Sequence, residues 1–149
     1  MKHIKRMDNT IRRKLQAGVQ YNMKVVLRGA RGTGKSSLLS RLQGGKLPRR
    51  HSPTPAIRTA TINWSFKNRD DAVKVEVWDV VDRAGGAERA DEMPALDAET
   101  VNVYQGAHAV VFMVDVTKPW TVEYARQRVG DVPEGIEVLV IGNHVDALE

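Results

Sequence analysis

The residues best equipped for chemistry are 29–36, GARGTGKS, which fit G-x-x-x-x-G-K-[ST] and fall between a strand-like run and a helical one. Glycines at 29, 32 and 34 let the backbone curl until successive amides point at phosphate oxygens, with the dipole of the following helix adding favourable potential. The candidate cradle is thus Gly29, Ala30, Arg31, Gly32, Thr33, Gly34, Lys35 and Ser36, with Ser37 behind it. Lys35 is placed to reach β and γ phosphates and is the candidate catalytic side chain; Ser36 is placed to ligate Mg²⁺. A glycine-rich turn of purely structural purpose is the competing reading.

Two further groups could complete such a site. Asp79 closes the alternating run AVKVEVWDV, and a carboxylate at a strand end beside the cradle can hold Mg²⁺ through its water shell. Thr54, in SPTPA, sits in the loop after the first helix, where a hydroxyl can close on metal and γ phosphate. The candidate metal set is therefore Ser36, Thr54 and Asp79. After the apolar run VLVIG comes NHVD, Asn143 to Asp146. An aspartate there can accept two hydrogen bonds from guanine N1 and N2, which adenine does not match. An N-x-x-D string is ordinary turn chemistry by itself, and its order and position make it informative.

These groups need an α/β scaffold. MKVVLR (23–28), RTATINWSF (58–66), AVKVEVWDV (72–80), AHAVVFMVDV (107–116) and IEVLVIGN (136–143) read as strands, the last two as buried ones. Helical patterns occupy 36–43, 96–106 and 119–130, with glycine stops at Gly44–Gly45 and Gly106 and with Pro119 in a first-turn position. The strands at 58–66 and 72–80 flank a turn-prone stretch and predict an antiparallel hairpin; the rest predicts a parallel sheet with crossover helices. Segments 44–56 and 81–94 read as long loops. Ahead of this domain, 22–149, residues 1–21 form a basic extension in which Ile4, Met7, Ile11 and Leu15 recur at helical spacing. A helix over 4–17 either packs on the domain or lies on a membrane surface or a partner.

Composition narrows the classes. The chain has 149 residues, 42% hydrophobic, as in a one-domain soluble globular protein, with no run near the roughly 18 apolar residues of a membrane span. It lacks cysteine, so disulfides, thiol nucleophiles, thiolate metal sites and prenyl or palmitoyl anchors are excluded within it. No secretory signal opens it, and the cytosol or the nucleus is the expected compartment. Residues 1–24 carry more than the whole net +5, seven basic residues against Asp8 alone, and the rest of the chain sums to −1. The near-neutral remainder argues against a specific nucleic-acid domain; weak contact of residues 1–17 with an anionic membrane is the compatible alternative.

GARGTGKS, PTPA, VEVWD and NHVD, in that order on those elements, resemble the Ras-like small GTPases, and GVQYNMKVVLRG, VKVEVWDVVD and ALDAE resemble an atypical Rab-related branch. The resemblance implies a P-loop three-layer sandwich with a mostly parallel sheet, binding GTP or GDP with Mg²⁺ and engaging protein effectors through loops 44–56 and 81–94. His144 stands where the family's lysine covers the base, so an imidazole would take over that stacking. The family's D-x-x-G-Q is not kept: after Asp79 come Val80, Val81, Asp82 and Arg83. A second register makes Asp82 to Gly85 the D-x-x-G. The expected activity is a slow GTPase; a non-hydrolysing interaction module and a P-loop ATPase or kinase are the rivals. Against the family pattern, the sequence also ends before a last strand and C-terminal helices, as a fragment or a reduced domain would.

Overall fold

A computed structural model describes residues 20–46, 57–65, 72–80 and 102–148. Strands β1 (Gln20–Arg28), β2 (Ile57–Ser65), β3 (Ala72–Val80), β4 (Ala109–Asp115) and β5 (Glu137–Asn143) form one sheet in the order β2-β3-β1-β4-β5. Helix α1 (Lys35–Leu42) follows β1, and α2 (Pro119–Val129) joins β4 to β5. β2 pairs antiparallel with β3, from Ile57 opposite Val80 to Ser65 opposite Ala72. All other pairings are parallel. The expected hairpin and parallel sheet are thus both present. The expected helix 4–17, Thr54, Asp82 and loop 81–94 lie outside the described residues.

Pleating divides the apolar side chains between two cores. On one face, Leu39 of α1 packs with Leu27, Val75, Val77, Val111 and Met113. On the other, Ala125 of α2 packs with Val26, Val80, Val110, Phe112 and Val114. β4 contributes to both and is buried from Val110 to Asp115, which is why its sequence is a continuous apolar run rather than an alternating one.

Both helix ends were legible. α1 stops where Gly44, at φ 79°, turns the chain left-handed: Gly45 N donates to Ser40 O (2.8 Å) and Gly44 N to Arg41 O (2.9 Å), satisfying two terminal carbonyls. α2 starts with Pro119 in its first turn, where the missing N–H has no helical partner to lose.

Three expectations are corrected. β5 is not buried: Val138, Leu139 and Val140 are all exposed, because β5 is an edge strand and the described elements cover neither of its faces fully. Trp64 and Trp120, whose large apolar side chains would be expected to pack, are also mostly exposed. Residues 102–106, the second half of the expected 96–106 helix, are turns closed by three-residue bonds such as Ala107 N to Tyr104 O (2.9 Å).

Leu39 is fully buried between α1 and the sheet. Leu39→Ala is expected to cost about 2–5 kcal/mol in a denaturant unfolding titration, whereas Trp120→Ala at an exposed position should stay within about 0.5 kcal/mol.

Candidate functional site

The site assembles where β1, β3, β4 and β5 end, the edge at which open α/β sheets bind ligands. Three glycines of the 29–34 loop have positive φ: Gly29 at 143°, Gly32 at 81° and Gly34 at 98°. Two of them are also fixed by space. A Cβ on Gly29 would run into the Met113 carbonyl oxygen, and one on Gly34 into the Asn143 amide. The loop therefore curls tightly against β4 and β5, as a chain must when its amides are to surround an anion.

Lys35, the first residue of α1, is buried inside this curl. Its Nζ donates to the carbonyls of Gly29 (2.5 Å) and Ala30 (3.0 Å). Thr33, fully buried, ties the loop to itself through Oγ1 and the Ala30 carbonyl (2.9 Å). Arg31 and Gly32 are exposed at the loop's tip, and Ser37 is half-buried as the third residue of α1.

Two of the three candidate metal residues, Ser36 and Asp79, lie together. Ser36 Oγ donates to Asp79 Oδ2 at 2.5 Å, joining the first turn of α1 to the end of β3. Asp79 is fully buried, and its other oxygen, Oδ1, has no hydrogen-bond partner. A buried carboxylate oxygen left without a donor calls for a cation or a water. The donor set, a hydroxyl and a carboxylate, is hard oxygen throughout and suits Mg²⁺, which keeps several of its own waters. Among the described residues no three His, Cys, Asp or Glu side chains cluster, so a dedicated protein cage for another metal is not present there.

The base motif joins the same edge. Asn143, at the end of β5, donates from Nδ2 to the Thr33 carbonyl (2.9 Å) and thereby locks onto the phosphate loop. His144 takes a left-handed backbone, φ 63° and ψ 31°, and its Nε2 is buried without a partner. Asp146 lies exposed in a 3-10 turn, Val145–Ala147. The sequence motifs thus meet in space, apart from Thr54, which is not described.

Two features escaped the sequence reading. Arg28, directly before the loop, is buried and donates to the Tyr104 hydroxyl with its guanidinium 5.5 Å from that ring. Asp115 ends β4 much as Asp79 ends β3, but its carboxylate is already engaged. Oδ2 accepts from Lys118 Nζ (2.8 Å) and Oδ1 from the Thr117 hydroxyl (2.5 Å) and amide (3.0 Å). Hydrogen bonds from Lys118 first, then Thr117, hold its carboxyl down to about 2 from an ordinary 3.8. The pattern D-x-T-K after an apolar strand is the signal that could have marked it.

Comparison with known proteins agrees with this geometry. Residues 24–146 match the Ras of Complex (Roc) domain of DAPkinase. Rab-like protein 6 of Bos taurus is 43% identical over 152 aligned residues, covering 94% of this chain and 22% of the relative; the Homo sapiens form gives 43%, 94% and 21%. The Ras-related protein RABA2a of Arabidopsis thaliana is 32% identical over 130 residues, covering 85% of this chain and 54% of the relative. The chain spans about a fifth of the length of the Rab-like protein 6 sequences it matches.

Two outcomes follow from the geometry. Gly34→Ala forces both a strained φ and a clash with Asn143, and should weaken nucleotide binding by roughly tenfold or more, about 1.4 kcal/mol, in a fluorescent-nucleotide titration; Gly130→Ala, at φ −65° with open space around it, should not. Because the folded pKa of Asp115 lies below its unfolded value, its contribution is present above about 4 and lost as pH falls towards 2. Denaturant midpoints of the parent and Asp115→Asn should therefore differ at neutral pH and converge in that acid window.

Proposed function

The chain belongs to the Ras-like GTPase domain family, and from that premise we propose that it binds GTP and GDP with Mg²⁺ and acts as a Rab-like switch with weak intrinsic hydrolysis. The observation that carries the metal-dependent reading is the Ser36–Asp79 pair with its unpartnered buried Oδ1. In this proposal Ser36 and Asp79 hold Mg²⁺, with Thr54 closing on it from loop 44–56. The ion would neutralise charge developing on the transferring phosphoryl group.

The chain's own residues supply the rest. Amides of the 29–36 loop would bind the phosphates, and Lys35 would exchange its two carbonyl partners for phosphate oxygens. Asn143 fixes the loop to the base side, Asp146 would accept from guanine N1 and N2, and His144 would lie against the base. Val80, Val81, Asp82 and Arg83 stand where the family's glycine and glutamine follow Asp79, so the glutamine that orients the attacking water in that pattern is missing from it. Asp82 adds a negative charge in the same stretch; like-charge repulsion of about 1–4 kcal/mol would oppose γ-phosphate there. The same departure supports the second reading, a pseudo-GTPase whose loops 44–56 and 81–94 hold a protein partner without turnover.

The purified protein should release guanine nucleotide on denaturation, read by chromatography, and Lys35→Ala should lose it; an adenine nucleotide or none in the parent rejects the proposal. Single-turnover hydrolysis should run below roughly 3 × 10⁻⁴ s⁻¹, the intrinsic scale of Ras, and no turnover with full GTP retention selects the pseudo-GTPase. EDTA should accelerate nucleotide release from the parent and from Asp82→Ala but have little further effect on Asp79→Ala.

A further inference from the structure

Residues 28–36 carry three cations, Arg28, Arg31 and Lys35, and each stands in a different environment. Arg28 is buried at the end of β1, its guanidinium donating to the Tyr104 hydroxyl. Lys35 is buried in the curl, on the carbonyls of Gly29 (2.5 Å) and Ala30 (3.0 Å). Arg31 is exposed at the tip, and among the described residues its side chain has no hydrogen bond, ion pair or ring contact. The backbone that carries it is nevertheless fixed. Ala30, just before it, is buried and its carbonyl accepts from both Lys35 Nζ (3.0 Å) and Thr33 Oγ1 (2.9 Å), while Gly32, just after it, turns at φ 81°. Asn143 meets the loop at Thr33 and Gly34, which puts the base end of the site on that arm. Arg31 belongs to the other arm, with Gly29 and Ala30. A held backbone thus presents a permanently charged side chain, its donors unused, on a loop curled to receive an anion.

We propose that Arg31 is the residue by which the site distinguishes GTP from GDP, its guanidinium holding the terminal phosphate; this rests on the guanine-nucleotide reading above. The amides of the curl and Lys35 serve the diphosphate that both nucleotides share. Lys35 acts there as a point charge divided between β and γ oxygens. The added phosphoryl group brings further negative charge, and Arg31 is the loop cation left to meet it. A guanidinium suits that task, because two parallel N–H groups match two phosphate oxygens. Such a contact, already made in bound GTP, tightens binding without raising the hydrolytic rate. The chain would therefore favour its triphosphate state while turning it over slowly.

Equilibrium titrations of the full chain with GDP and with the non-hydrolysable imido analogue of GTP test this. Arg31→Gln should weaken the GTP analogue roughly tenfold or more relative to GDP, the scale of a charged hydrogen bond. Arg31→Lys, which keeps the charge but not the fork, should restore part of that difference. Raising salt from about 0.05 to 0.5 M should erode the parent's preference for the triphosphate more steeply than that of Arg31→Gln, since an exposed charge contact is screened. A merely structural role would not produce that dependence. Both variants should keep the parent's denaturant midpoint, because Arg31 is exposed. An unaltered ratio of the two affinities in Arg31→Gln, or an equal loss for both nucleotides, overturns the proposal and leaves guanine-nucleotide binding standing. A parent that binds neither nucleotide overturns both.

Discussion

A single hydrogen bond spanning 110 residues, from Asn143 Nδ2 to the Thr33 carbonyl, holds the phosphate loop and the base motif in one geometry. It forms because two glycines, lacking a Cβ, let the loop backbone lie close against its neighbours. Gly29 leaves room for the Met113 carbonyl, and Gly34 leaves room for the Asn143 amide itself. The loop is thereby clamped between the ends of β4 and β5, and the sheet order becomes a condition of function. β4 and β5 must be parallel and in register, Asp115 opposite Asn143, for that amide to arrive at the loop. A slip of one residue would turn Asn143 to the other face.

The same edge concentrates charge, and the side chains sort into settled and unsettled groups. Asp115 is settled: Lys118 and Thr117 fill its oxygens, and its role is to brace the turn from β4 into α2. Asp79 is half settled, with Ser36 on one oxygen and nothing on the other, although it is equally buried. Lys35 rests on two carbonyls, partners weaker than a polyanion. Burial makes the unmet requirement of the Asp79 oxygen costly, so that carboxylate is poised to take a cation or a water. Two aspartates at equivalent strand ends thus have different tasks, and what separates them is their neighbours.

Much of this was legible from local chemistry. The phosphate-loop glycines, the α1 stop at Gly44 and Pro119 at the start of α2 are each fixed by backbone conformations few residues tolerate, so sequence and structure coincide there. Strand β3 was read to the residue because a half-buried strand alternates. Burial was less legible where it depended on which neighbours a segment would find. VLVIG reads as a covered strand, yet β5 lies at an edge, and no periodicity distinguishes a strand with a neighbour from one without. Arg28 carries no local sign of burial, yet it is buried with its guanidinium donating to Tyr104, distant in sequence.

The two ends of the α1 face now appear as opposite solutions to one shortage. A single eight-residue helix cannot cover the sheet, and it is drawn towards the carboxyl edge because its first turn must supply Lys35 and Ser36 to the site. With α1 held at that edge, Trp64 and Tyr21, in one row with Val73 at the other end of the same face, are more than half exposed. Exposed aromatic surface there is therefore a consequence of the nucleotide-site architecture rather than an independent feature.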